Sequence, residues 1–312
     1  MPSSASNKAS NALAELSSQI ANAVENAGKS VVAIHARQRI PSSGVVWRAG
    51  VIVSAAHTVR SDGRVNVTLP NGERGSAEVV GRDAATDLVA LRLIDSSTPA
   101  ITRAPADSER VGSLVVAVGR PGPNTTAAFG IVSAVRDGWR TAHGTRVERI
   151  LRLDLAVYDG FSGGALVDAA GRAIGIDNSG LARGTPLALT GATIDPVLDE
   201  LLERGHVRRP FIGVAVHPVA LGKSLAEKHG LKREQALLVV SVGDDTPASR
   251  AGLSLGDVLL DANGKALAHP TDLLDALAAV RHESAVQLTV LRGGRVETVQ
   301  VTPLDRRDEE AA

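Results

Sequence analysis

Beyond Gly28 the chain breaks into short apolar runs, each closed by a turn signal, and this rhythm restricts the fold more than any other feature of the sequence. Brief, β-branched runs bounded by Gly, Pro, Asn and Asp are strands rather than helices. The spacing predicts strands at Val31–Ile34, Gly44–Ser54, Val65–Leu69, Ala77–Val80, Leu88–Leu93, Leu114–Val118, Phe129–Val135 and Arg149–Leu155. Between them stand Ser61–Gly63, Pro70–Gly72 and Gly119–Asn124, where Gly permits positive φ and Pro presets it. A further hairpin spans Gly164–Asp177, with its turn at Asp168–Gly171. Many strands at this rhythm point to a mainly β domain, an antiparallel sandwich or barrel.

The flanks read differently. Leu13, Leu16, Ile20 and Val24 recur at spacings of three and four, which predicts an amphipathic helix within residues 1–28, after a Ser-rich tail. This stretch is neither a signal peptide nor a membrane span, so the expected compartment is the cytoplasm unless the sequence is a trimmed one. Asp195–Gly205 predicts a helix with Asp195 as N-cap, Pro196 at the first position and Gly205 at the stop. It closes a first domain at residues 29–205, and residues 206–210 form a basic linker. A second unit follows at 211–303, with strands at Ala236–Val242, Asp257–Ala262, Val286–Leu291 and Val296–Val301 and a helix at Thr271–Val280. Residues 304–312 are a charged tail.

Composition removes several classes of function. Thirty-four basic residues balance thirty-four acidic ones, so no net field favours nucleic acid. The absence of cysteine excludes disulfides, thiolate catalysis and Cys-ligated zinc, and no metal or cofactor motif is visible. Two Trp, one Tyr and three Phe leave Val, Ala, Leu and Gly to build the core.

One stretch suggests chemistry. In Asp159–Ala165, DGFSGGA, Ser162 is either a nucleophile or a serine in a glycine-rich turn. A serine nucleophile requires a base within hydrogen-bond reach and a third group to orient that base. His57 ends an apolar strand that runs into a loop, and Asp87 immediately precedes another. Each has a bland alternative as a capping or turn residue. Together, in the order His57, Asp87, Ser162 within an all-β region, they follow the order of chymotrypsin-type enzymes.

The stretches VSAAHTV, TDLVALRL, LRLDLAVYDGFSGGALVD and GRAIGI closely resemble the protease domain of the HtrA family of trypsin-like serine proteases. FIGVAV and ALLVVSVGDDTPASRAGLSLGDVLLDANGKAL resemble that family's PDZ domain. The resemblance covers roughly residues 29–303. It implies a chymotrypsin-like double β-barrel protease domain followed by an α+β PDZ domain. It also implies Ser162 as nucleophile, His57 as general base, Asp87 as the orienting acid, and the N–H groups of Gly160 and Ser162 as oxyanion hole. The expected function is ATP-independent endoproteolysis of unfolded or extended polypeptides in protein quality control. The alternative is an inactive peptide-binding adaptor or chaperone on a protease scaffold.

The sequence departs from the family at Tyr158-Asp159-Gly160-Phe161, where Asn-Pro-Gly-Asn is usual, and at Ala165. Phe161 is expected either to line the substrate cleft or to hold the loop in an inactive shape. The base of the specificity pocket, six residues before the nucleophile, is Ala156, and an apolar floor there implies small or medium aliphatic side chains. In the second unit the resemblance assigns Phe211, Ile212, Gly213 and Val214 to the loop that captures a peptide's C-terminal carboxylate. Arg208 and Arg209 precede that loop as helpers or as solvated linker, and Leu273, Leu274 and Leu277 are pocket wall or core. A homo-oligomer, trimeric by resemblance, is possible, although the first 46 residues hold no aromatic residue to build such an interface. His35, His143, His206, His217, His229, His269 and His282 are surface or turn residues.

Overall fold

The structure is a computed structural model that describes residues 4–37, 39–94, 97–106, 108–140, 146–182, 185–222, 227, 234–280 and 284–305. The chain divides into two compact units, Met1–Val207 and Arg208–Ala312. His143, His229, His282 and tail residues 306–312 lie outside the described residues.

The first unit opens with helix α1 (Ser4–Gly28). Six strands follow: β1 (Val31–His35), β2 (Ser42–Arg48), β3 (Val51–Ala55), β4 (Arg64–Thr68), β5 (Arg74–Asp83) and β6 (Leu88–Ile94). They close into a barrel in the order β1-β2-β3-β6-β5-β4. The run read as one strand, Gly44–Ser54, is a hairpin, because Gly50 at φ +70° reverses the chain between β2 and β3. A second closed barrel uses β7 (Leu114–Gly119), β8 (Thr126–Arg140), β9 (Arg146–Asp154), β10 (Ala165–Asp168), β11 (Ala173–Asn178) and β12 (Leu187–Thr190), ordered β10-β11-β12-β9-β8-β7. Closure leaves neither sheet an open edge.

Val32, Ile34, Ile52 and Leu91 fill the first barrel, and Val115, Leu151, Leu166 and Phe161 the second. Between them Val45, Val53 and Leu88 meet Val116, Val118 and Ala165 in one continuous core. The C-terminal half of α1 covers that core with Ile20, Val24 and Ala27, whereas Leu13 stays exposed.

Helix α2 (Gly191–Arg204) starts five residues before the position read from the sequence, with Thr190 as N-cap and Gly205 stopping it at φ +79°. Asp195 therefore caps nothing. Its carboxylate accepts from Trp47 Nε1, Arg48 and Arg103, tying α2 to the body.

The second unit is a sheet of β14 (Val214–Ala220), β15 (Gln235–Val242), β16 (Val258–Ala262), β18 (Val286–Arg292) and β19 (Arg295–Val301), with β17 (Lys265–Ala266) paired to β16. Helices α3 (Pro247–Arg250) and α4 (Pro270–Ala278) pack on it through Ala248, Leu273 and Leu277. β13 (Pro210–Phe211) pairs with β20 (Leu304–Asp305), so the tail contributes two residues to this unit, and Arg208 pairs with Asp305.

Candidate active site

Strand β3 delivers His57. It runs into a single 3-10 turn, Ala56–Thr58, that places the imidazole where the two barrels meet. Asp87 stands at the start of β6 with φ +53°, a left-handed conformation that an aspartate tolerates better than most residues. That kink brings its carboxylate onto the histidine: Asp87 Oδ2 lies 2.6 Å from His57 Nδ1, and Oδ1 accepts the His57 backbone N–H at 2.7 Å. An ionised carboxylate only accepts, so the bond requires the proton on Nδ1 and leaves Nε2 as the basic nitrogen.

Ser162 sits on a turn stitched from both barrels. Ser43 N–H donates to Ser162 O, and Ser43 Oγ donates to Gly160 O at 2.6 Å. Phe161 N–H donates to Tyr158 O, closing a turn around Asp159 and Gly160 in which Gly160 takes φ +87°, as a type II turn demands of its third residue. A Cβ at Gly160 would lie 2.6 Å from Pro121 Cβ, so only glycine fits. Neither Gly160 N–H nor Ser162 N–H donates to an acceptor among the described residues.

The hydroxyl of Ser162 is 2.7 Å from Ser179 Oγ and makes no hydrogen bond to His57 among the described residues. His57, Gly160, Ser162 and Ser179 line one open cleft of about 300 Å³, with Arg37 and Asp159 as its charged groups. A larger cavity, lined by Trp47, Arg103 and Asp195, holds none of these groups.

Sequence reasoning missed the segment Asp177–Gly180, which touches every part of this site. The Asp177 backbone accepts from Gly163 N–H at 2.8 Å and donates to Gly164 O at 2.9 Å, fixing the turn after Ser162. Asn178 Nδ2 donates to Asp87 O. A Cβ on Gly180 would run into Asp87 Oδ2 and lie 2.6 Å from His57 Nδ1, so the bare glycine lies directly against the His–Asp pair. The one available signal was the polar Asp-Asn-Ser ending an otherwise apolar strand. The Asp177 carboxyl is buried with neither oxygen hydrogen-bonded among the described residues, and that burial pushes it up to about 8.

Two pocket assignments are corrected. Phe161 does not line the cleft: its ring is fully buried with Leu151, Leu153 and Leu166, because a residue beside so tight a turn must point into the barrel. Ala156 is exposed and outside the cleft lining, since β9 ends at Asp154 and the chain leaves the barrel surface there.

In the second unit Ile212 is core, and Gly213 takes φ +84° against Thr246. Leu273 and Leu277 are buried, whereas Leu274 is exposed. β14 is the end strand of its sheet and has α4 beside it.

Comparison with known proteins agrees with this geometry. A model of the trypsin-like peptidase domain matches residues 42–176, and a PDZ domain model matches residues 210–302. The solved HtrA-type protease AlgW with tripeptide is 31% identical, with TM-score 0.73, covering 92% of this chain and 97% of that one. The chain belongs to the HtrA family of serine proteases. The serine endoprotease from Yersinia pestis is a further match in structure, 28% identical with TM-score 0.74, covering 91% of this chain and 97% of that one.

Among curated proteins, a Brucella suis protein named "Probable periplasmic serine endoprotease DegP-like" is 34% identical over 281 residues, 86% of this chain and 53% of its own length. A Halomonas elongata protein of the same name is 31% identical over 280 residues, 88% of this chain and 58% of its own. The chain thus spans about half the length of the curated relatives it matches. Their names overturn the cytoplasmic expectation for this HtrA chain. That expectation rested only on the want of an apolar leader in residues 1–28, and the want of one segment does not fix a compartment.

Proposed function

We propose that this chain is an ATP-independent serine endopeptidase that cleaves unfolded or extended polypeptides in periplasmic protein quality control. The observation that carries the reading is the 2.6 Å His57–Asp87 contact facing the cleft that Ser162 also lines. In the reaction Ser162 Oγ attacks the scissile carbonyl carbon while His57 Nε2 takes its proton. The developing oxyanion is held by the N–H groups of Gly160 and Ser162, a donor pair of which each member typically accounts for about 3–4 kcal/mol of the barrier reduction. Protonated His57 hands the proton to the leaving amine, and then activates a water that hydrolyses the acyl-Ser162 ester.

Ser162 is only 8% exposed, so a substrate must offer an extended segment to reach it, which favours unfolded chains. The AlgW structure with its tripeptide supports a peptide ligand, and the unpaired edge of β14 supports capture of a peptide C-terminus as an added strand near Gly213. A homo-oligomer is part of the proposal through the family, with the exposed Leu13 of α1 as available apolar surface.

The inactive-adaptor alternative loses its motive. Phe161 sits in the core, and Gly160 keeps a positive φ, with no acceptor for its N–H among the described residues. Digestion of unfolded casein by the wild type, abolished in Ser162→Ala, is the expected outcome. Undiminished digestion by Ser162→Ala would refute the proposal.

A further inference from the structure

Arg120 has no part in the reaction as described, yet it is a buried cation, 4% exposed, at the end of β7. Among the described residues its guanidinium donates only to neutral acceptors. Nε bonds Val31 O at 2.7 Å, Nη1 bonds Pro123 O at 2.7 Å, and Nη2 bonds Gly28 O at 3.1 Å and Thr125 Oγ1 at 2.8 Å. Packing alone does not call for such a residue, because burying a charge is costly and apolar side chains fill comparable sites at least as well. The bonds themselves are what it supplies. Gly28 is the last residue of α1, whose final carbonyls lack partners within the helix and attract a cation. The same residue reaches the nucleophile turn by two routes. Its backbone N–H donates to Ser43 Oγ at 2.7 Å, and that hydroxyl donates to Gly160 O at 2.6 Å. An amide N–H only donates and a carbonyl only accepts, so the one hydroxyl proton of Ser43 has a fixed direction. Pro121, next in the chain, lies so close to Gly160 that a Cβ there would overlap it. Gly160 has no side chain to restrict its own peptide planes, so the direction of its N–H depends on what holds it from outside. Ser43 and Pro121 are two such holds, and by gripping Pro123 and Thr125 the guanidinium fixes the 119–125 turn that carries Pro121.

We infer that Arg120 is a positioning residue for the oxyanion hole: it anchors the turn after β7 to the end of α1 and the start of β1, and so holds Gly160 in the orientation that the reaction needs. The inference rests on the endopeptidase reading above. Arg120 touches neither the substrate nor a reacting atom, and its effect passes through Ser43 and Pro121.

The test measures turnover of unfolded casein by the full chain, per Ser162 site counted by fluorophosphonate labelling taken to completion. Arg120→Met keeps an unbranched side chain but has no donor. It is expected to lower kcat per site about tenfold or more with KM within about twofold, since only the transition state uses the oxyanion donors. Ser43→Ala is expected to act in the same direction, and the double variant to be no slower than Arg120→Met, because both changes lie on one path. A merely structural role would reduce the number of sites that label and leave the turnover of each unchanged. Undiminished kcat per site in Arg120→Met, or losses that multiply in the double variant, would overturn the inference while leaving the protease intact. Should Arg120→Met not fold, Arg120→Lys, which keeps the charge with one nitrogen in place of three, takes its place under the same two outcomes. Failure of the wild type to label at Ser162 would overturn both readings.

Discussion

Ser162 and Ser179 present their hydroxyl oxygens 2.7 Å apart, and either hydroxyl can be the donor. Where Ser162 donates, the proposed transfer of its proton to His57 requires this neutral hydrogen bond, worth about 1 kcal/mol net, to be given up first. Ser179→Ala is expected to raise the rate of fluorophosphonate labelling at Ser162 about fivefold. A slower rate would mean that Ser179 assists the nucleophile rather than restraining it.

Gly180 lies so close to the Asp87–His57 bond that any side chain must displace it. Gly180→Ala is expected to lower kcat about a hundredfold, the scale associated with ångström-level misplacement of a catalytic group. The low-field proton signal of His57 Nδ1–H should shift or vanish in parallel. An unchanged signal with lowered kcat would place the effect elsewhere.

Asp87 fixes which imidazole nitrogen carries the proton, by accepting from Nδ1. Asp87→Asn offers an amide that can donate there, which favours the wrong tautomer. Turnover is expected to fall about 10⁴-fold near neutral pH, with the fold retained in circular dichroism. A loss below about tenfold would contradict the assignment.

Asp177 links stability to pH. Burial pushes its carboxyl up to about 8, whereas in the unfolded chain it titrates near its ordinary value of about 3.9. Between those values the folded protein keeps a proton that the unfolded chain releases. Its contribution to stability therefore falls as pH rises, by at most about 1.4 kcal/mol per pH unit, and levels off above about pH 8. Asp177→Asn has no such proton to exchange. Urea midpoints at about pH 5, 7 and 9 should show wild type losing ground to the variant across that window. A constant difference would contradict the buried neutral acid.

In the second unit Gly213 combines φ +84° with close packing against Thr246. Gly213→Ala strains the backbone and displaces Thr246, so affinity for C-terminal peptides, read by calorimetry, is expected to drop at least about tenfold. Unaltered affinity would place the carboxylate site away from residues 211–214.

The strand rhythm made the barrels legible, because alternation and turn chemistry act locally. β12 was not seen, since Leu187–Thr190 is too short to show a period and owes its strand to β9 and β11 on either side. The start of α2 was misplaced for a similar reason: Asp195 has the chemistry of a cap, but Trp47, Arg48 and Arg103 claim it, and all three come from distant sequence. His57, Asp87 and Ser162 were legible through order and residue type. The roles of Asp177, Ser179 and Gly180 were not, because each arises only when β11 is laid beside the nucleophile turn. Counting six residues back from Ser162 failed at Ala156 because a pocket is built by neighbouring strands and not by sequence distance.

The most direct measurement is mass-spectrometric mapping of fluorophosphonate labelling on the intact chain, with His57→Ala beside the wild type. The account predicts a single adduct at Ser162 in the wild type and labelling slowed at least about a thousandfold in His57→Ala. An adduct on another serine, or equal labelling in both proteins, would contradict it.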